Sequence, residues 1–96
     1  MNMSQLNVAI VEATQADDFT PYELAGVASK LVGKYVREQM LYQYVAKKFI
    51  PSGTSTRATK KGPREVKAVA QADARAWLTK YASKQLNVTA DVTADV

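Results

Sequence analysis

Apolar residues recur at helical spacing in three stretches of the chain. The first stripe consists of Leu24, Val27, Ala28 and Leu31. The second consists of Met40, Leu41, Tyr44 and Val45, and the third of Ala74, Trp77, Leu78 and Tyr81. We therefore predict helices near residues 20–32, 37–49 and 72–84. Because a stripe at this spacing usually packs inside the fold, we expect Leu41, Tyr44, Trp77 and Tyr81 in the core.

The first predicted helix carries sequence signals at both ends. Thr20 is a favourable N-cap, Pro21 suits the first helical position, and Glu23 completes a capping box with Thr20. Gly33 can end the helix in a left-handed conformation.

The spacing changes after the second helix. Pro51 disfavours helical geometry at Ile50 and forbids further helix. The segments "FIPS" and "EVKAVA" can both be extended, and "VKAV" alternates as a half-buried strand does. The residues between them, "GTSTRATKKGPR", contain two Gly and one Pro. This pattern predicts a β-hairpin with a long, mobile, basic tip.

The two ends of the chain differ from the middle. In the N-terminal segment, residues 1–18, "LNVAIVEA" fits either a short strand or one or two helical turns. Residues 87–96 include a repeat of Val-Thr-Ala-Asp with few large apolar side chains, which indicates a disordered tail. Residues 19–86 form the expected domain, a mainly α fold with a small β-hairpin (α+β).

The composition excludes several classes of site. The 96 residues suffice for one small domain and include no Cys and no His. Disulfides, Cys/His zinc sites, a His general base and a Cys nucleophile are thereby ruled out. No phosphate-binding glycine pattern is present. We expect a protein that is not an enzyme and has no cofactor and no metal.

Two further features bear on localisation. No apolar run approaches the ~20 residues that span a bilayer, so we expect no membrane partner. The N-terminus lacks the basic patch and apolar run of a signal peptide. Cytoplasmic localisation is the resulting expectation.

The charge is unevenly distributed. Residues 1–29 hold four acidic and no basic residues, whereas residues 30–67 hold ten basic and two acidic ones. A concentrated positive region is typical of a polyanion binder, and equally of a solvated, Lys-rich surface. If the hairpin packs beside the second helix, both present charge on the same side, as in a winged helix-turn-helix with three helices and a wing.

This arrangement assigns roles to named side chains. In the second helix, Arg37 and Lys47 suit phosphate contacts, while Gln39 and Gln43 can hydrogen-bond adenine edges. Tyr42 points away from the apolar side and can reach a phosphate or a base. The candidate DNA contacts on the wing are Arg57, Lys60, Lys61 and Arg64. The alternative is an ordinary exposed helix face and a solvated loop.

The order of these segments resembles the MerR-like winged helix-turn-helix of small phage excisionases and short regulators. The first helix matches at Phe19-Thr20 and Glu23-Leu24-Ala25. The second matches at Val36, Gln39, Met40, Leu41, Tyr42, Tyr44, Phe49, Ile50 and Pro51. Arg64 precedes the second strand, and the last helix matches at Asp73-Ala74 and Trp77-Leu78. The resemblance covers residues 19–82, but Lys48 stands where the family usually has Gly.

The resemblance implies a sequence-specific DNA-binding protein of the excisionase (recombination directionality factor) type. Such a protein binds double-stranded DNA side by side with further copies, bends it and steers a recombinase or integrase. A small transcriptional regulator of the same fold is one alternative. Another is a protein-interaction module, such as a phage-encoded inhibitor of a host protein, that uses Tyr35, Tyr42 and the acidic N-terminus. RNA binding is a third, although no aromatic stacking platform is visible.

Overall fold

In the computed structural model, which describes residues 2–87, helices and a small sheet share one hydrophobic core. The elements are α1 (Met3–Ala13), β1 (Asp18–Phe19), α2 (Pro21–Val32), α3 (Glu38–Ala46), β2 (Gly53–Thr59), β3 (Gly62–Ala70) and α4 (Gln71–Gln85). Within this range the fold is α+β, with four helices and a three-stranded antiparallel sheet of order β1-β3-β2. No helix among residues 2–87 has both the length and the hydropathy needed to cross a membrane. Residues 88–96, nearly all of the predicted tail, lie outside the described range.

The predicted signals of the first helix are confirmed in α2. The hydroxyl of Thr20 accepts from the Glu23 N–H at 3.2 Å, and the Glu23 carboxylate accepts from the Thr20 N–H at 2.9 Å. Gly33 ends the helix with φ of 71°, in the left-handed region that residues with a Cβ rarely adopt. Local sequence alone therefore accounts for both ends of α2.

Helix α3 ends in a Schellman motif built around a lysine. Lys48 has φ of 62°, its N–H bonds to the Val45 carbonyl, and the Phe49 N–H bonds to the Tyr44 carbonyl. The rings of Phe49 and Tyr44 meet edge to face at 6.1 Å, which supplies the usual apolar contact of this motif. Lys48 thus takes the conformation for which Gly is normally selected.

The hairpin is observed, but its predicted long tip is wrong. Strands β2 and β3 pair from Gly53 opposite Ala68 to Thr59 opposite Gly62, which leaves only Lys60 and Lys61 in the turn. The stretch expected to be a mobile loop is therefore mostly paired strand. Gly62 has φ of 108°, and the Thr59 hydroxyl donates to its carbonyl at 2.6 Å. "FIPS" precedes the strand and is not part of it.

The N-terminal segment forms the helix α1. Of the two predictions for this segment, a short strand or helical turns, the helical one is therefore confirmed. Asn2 and Gln5 form a capping box, with the Asn2 side chain accepting from the Gln5 N–H at 2.9 Å. Leu6 and Ile10, one turn apart, are buried in the common core. The segment is therefore packed with residues 19–86 rather than appended to them.

The connector after α1 supplies hydrogen-bond acceptors to the first residues of α4. Ala70 caps α4 without a side-chain hydrogen bond, but the Gln71 N–H donates to the Asp17 carbonyl at 2.9 Å. The Thr14 carbonyl accepts from the Gln71 amide at 2.8 Å and from the Arg75 guanidinium at 3.1 Å. Strand β1 follows, with Phe19 buried opposite Val69 of β3.

The predicted core is confirmed only in part. Leu41 is fully buried, whereas Tyr44, Trp77 and Tyr81 are half-buried and pack against the core from its edge. The Trp77 and Tyr81 rings stack at 4.9 Å, and Trp77 meets Tyr44 edge to face at 6.2 Å. These three residues form an aromatic border of the core.

Candidate nucleic-acid interface

Helix α3 has one buried and one exposed face. Leu41 and Val45 are buried, while Gln39, Tyr42, Gln43 and Ala46 are exposed. The exposed four are spaced i, i+3, i+4 and i+7, so they lie along one line of the helix surface. We call this line, residues 39, 42, 43 and 46, the polar strip. The structure thus brings three of the predicted contacts, Gln39, Tyr42 and Gln43, together on one face.

Basic side chains flank the polar strip at both ends of α3. Arg37 is the N-cap residue, although its side chain makes no capping hydrogen bond, and Lys47 is the C-cap residue. Both are exposed, and neither forms an ion pair with another of residues 2–87. At 1.5 Å per residue the two positions are about 15 Å apart along the axis.

The tip of the hairpin carries three more exposed basic residues. Lys60 and Lys61 form the turn, and Arg64 follows two residues into β3. In the described part of the chain, none of the three is ion-paired. The paired strands fix the backbone that carries these side chains, because the turn is short and both flanking residues are hydrogen-bonded.

The hairpin lies beside α3 across an open groove of about 660 Å³. Tyr42, Val45 and Ala46 line the groove from α3, and residues 64–67 line it from β3. Thr20 and Pro21, at the start of α2, complete the wall. Tyr42 of the polar strip and Arg64 of the hairpin therefore face a common space.

Arg57 differs from the other predicted wing contacts. Its Nη2 donates to Asp18 Oδ1 at 2.7 Å and to Glu23 Oε1 at 2.9 Å, and its Nη1 donates to Ser55 Oγ at 2.8 Å. Hydrogen bonds from Ser55 and then Arg57 hold the pKa of the Asp18 carboxyl below its usual value. The Arg57 guanidinium likewise lowers the pKa of Glu23, and both carboxylates raise the pKa of Arg57.

These contacts make Arg57 an anchor of the hairpin. It connects β2 to β1 through Asp18 and to the first turn of α2 through Glu23, whose carboxylate also caps that helix. Its charge is compensated, whereas Arg64, directly opposite on β3, has no ion pair with any residue from 2 to 87. Sequence reasoning missed this role, since the acidic partners lie 39 and 34 residues away.

No group of three or more carboxylates within residues 2–87 could hold a metal ion. Of the predicted contacts, Tyr42 and Arg64 line the groove between α3 and the hairpin, while Gln39 and Gln43 lie on the exposed face of α3. Comparison with known proteins finds no matching family model, no matching curated protein and no matching solved structure.

Proposed function

We propose that this protein is a sequence-specific DNA-binding protein whose α2, α3 and β2–β3 hairpin act as a winged helix-turn-helix. The observation that carries the proposal is the set of exposed basic residues on both sides of the polar strip, none of which is ion-paired within residues 2–87. Basic residues clustered around a helix face are the electrostatic signature of a polyanion binder. The hairpin beside α3 supports the same interpretation, although the connector between α2 and α3, residues 33–37, is longer than a tight three-residue turn.

In this proposal α3 enters the major groove, which is wide enough for an α-helix. Gln39 and Gln43 contact base edges, because an amide can donate to and accept from adenine at once. Arg37 and Lys47 clamp phosphates on either side. Lys60, Lys61 and Arg64 contact phosphates alongside the groove. Arg57 is left out of the contact set because its charge is already paired with Asp18 and Glu23.

The biological role that we propose is that of an excisionase, a non-catalytic factor that bends DNA and steers a recombinase. It rests on the resemblance of residues 19–82 to that family. A small transcriptional regulator of the same fold is the alternative. Footprinting on DNA that flanks the gene separates them, since an excisionase protects repeated sites beside a recombination site and a regulator protects a promoter.

The direct test is a salt titration of binding to a specific and a random duplex. Replacing Lys60, Lys61 and Arg64 by Gln should weaken binding to both duplexes about equally. It should also reduce the log–log salt slope by about one unit for each phosphate that the variant no longer neutralises. Gln43→Ala should leave the slope unchanged and reduce the preference for the specific site by about 1–3 kcal/mol.

A matched control has the same change of charge elsewhere. Lys30, Lys80 and Lys84 are exposed on α2 and α4, and replacing all three by Gln also removes three positive charges. This control should keep most of the affinity and the salt slope. Equal reductions for the two triple variants would show that only net charge matters. Absence of DNA binding by the wild type at low salt would exclude the proposed function.

A further inference from the structure

A second groove lies on the molecule between α2 and the turn that leads to α3. It has a volume of about 230 Å³ and is flanked by two of the most exposed aromatic side chains of residues 2–87. Tyr35 is 82% exposed and Tyr22 is 66% exposed. Neither ring makes an aromatic contact within the described residues. Both tyrosines therefore present large ring surfaces to the solvent.

Hydrogen bonds through Ser29 connect the two sides of the groove. Ser29 Oγ donates to the Ala25 carbonyl at 2.8 Å and accepts from the Val36 N–H at 2.8 Å. This links the body of α2 to the turn that carries Tyr35, while the Val36 side chain is buried. The backbone that carries Tyr35 is therefore fixed against α2, and a ligand would not have to create the groove.

Gly26 is an exposed lining residue of the groove, and the fold does not explain it. It lies in the middle of α2, where Gly is less favourable than any residue except Pro. A Cβ at this position would meet no atom within 4 Å, and the backbone does not have a left-handed φ. No contact with another of residues 2–87 requires the missing side chain. The space above it is available to another molecule.

The charged residues that line this groove are both acidic. They are Glu23 and Glu38, although Lys30 and Lys34 are exposed on neighbouring turns. Glu38 has no ion pair within residues 2–87, and Glu23 uses Oε1 for its contacts with Arg57 and the Thr20 N–H. Glu38 is therefore the carboxylate of this groove that the described residues leave without an ion pair, and it favours a cationic ligand over a phosphate backbone.

We propose that this groove docks an arginine-bearing segment of a partner protein. A guanidinium is attracted to tyrosine ring faces, and the N–H groups on its edge can donate to a carboxylate. Its flat, narrow side chain fits over a residue without a Cβ. The proposed DNA contacts do not line this groove, although Glu38 is the first residue of α3.

The test uses the full chain and a short peptide with one central Arg between small neutral residues. Amide shifts in a 15N-labelled sample should move at Tyr22, Gly26, Tyr35 and Glu38, and a peptide with Gln in place of Arg should move none of them. Gly26→Leu fills the groove and should weaken peptide binding at least tenfold. Glu38→Gln should weaken it about fivefold, which corresponds to about 1 kcal/mol. Val8→Leu, on an exposed face of α1, should bind as the wild type does.

Stability measurements show whether the Gly26 variants are folded. Gly26→Ala should raise the melting temperature by about 4 °C, because Ala is the better helix former and meets no steric conflict. If Gly26→Leu fails to fold, Glu38→Gln still decides the matter. The proposal is overturned if the Arg and Gln peptides bind alike, or if peptide binding ignores both Gly26→Leu and Glu38→Gln. It is also overturned if duplex DNA, or a second copy of the chain, shifts the Tyr22, Gly26 and Tyr35 amides instead.

Discussion

Replacing Arg57 and Arg64 one at a time separates the two roles that basic hairpin residues can have. They are directly opposite on β2 and β3, so Gln at either position makes the same chemical change in nearly the same place. Arg57 is bonded to Asp18, Glu23 and Ser55, whereas Arg64 has no ion pair in the described chain. Arg57→Gln should therefore lower stability, and Arg64→Gln should lower DNA affinity.

The stability loss expected for Arg57→Gln can be derived from how exposed the interacting side chains are. The Arg57 and Asp18 side chains are 29% and 31% exposed, and Glu23 is 43% exposed. Ion pairs at such positions contribute about 0.2–1 kcal/mol each, the Glu23 pair at the low end, and the Ser55 hydrogen bond adds about 0.5–1 kcal/mol. We expect Arg57→Gln to cost about 1–2 kcal/mol, or about 5–10 °C in melting temperature. Arg64→Gln should stay within about 0.5 kcal/mol of the wild type.

The loss should depend on pH in a defined direction. The pKa values of Asp18 and Glu23 are lowered in the folded state, so their pairing with Arg57 stabilises the fold above the unfolded pKa values of about 4. That contribution is lost as the pH falls through the lowered values. The stability difference between wild type and Arg57→Gln should be full at pH 6–7 and shrink below about pH 4.

Urea unfolding followed by circular dichroism, at neutral pH and below pH 4, measures these differences for both variants. DNA titrations at several salt concentrations complete the comparison. Arg57→Gln should leave the salt slope nearly unchanged, while Arg64→Gln should reduce it by about one unit. If Arg57→Gln is as stable as the wild type, or if its loss is the same at both pH values, Arg57 does not anchor the hairpin.

Two further predictions concern stability. Trp77→Ala should cost about 2–3 kcal/mol of unfolding free energy, because Trp77 is half-buried and stacked on Tyr81. A fully buried indole would cost ~3–5 kcal/mol. A loss under ~1 kcal/mol in urea unfolding would contradict its place at the core edge. Lys48→Gly should raise the free energy of unfolding by about 0.5–1 kcal/mol. The left-handed φ of 62° costs a residue with a Cβ about 1–2 kcal/mol, and Gly avoids this cost. The greater conformational freedom of Gly in the unfolded chain offsets part of the gain. Lys48→Ala removes the charge but keeps the Cβ, and it should show no such gain in melting temperature.

The parts of the fold that were predictable rest on contacts between near neighbours in sequence. Both ends of α2 depend on Thr20, Glu23 and Gly33, whose hydrogen bonds span three or four residues. The apolar stripes located α3 and α4, because a helix buries positions that its own period determines. Gln39, Tyr42 and Gln43 could be grouped for the same reason. A helix places i, i+3 and i+4 on one face whatever surrounds it.

Tertiary structure decided the elements whose hydrogen-bond partners are distant. The polar stretch "GTSTRAT" becomes β2 because β3 supplies its pairing, although its alternating threonines, which favour strands, were a usable signal. α1 is helical where the sequence was ambiguous, and the burial of Leu6 and Ile10 in the common core stabilises that choice. Arg57 looks like any other cation in the sequence. Only folding brings Asp18 and Glu23 within 3 Å of it, since the energy of an ion pair depends on distance in space and not along the chain.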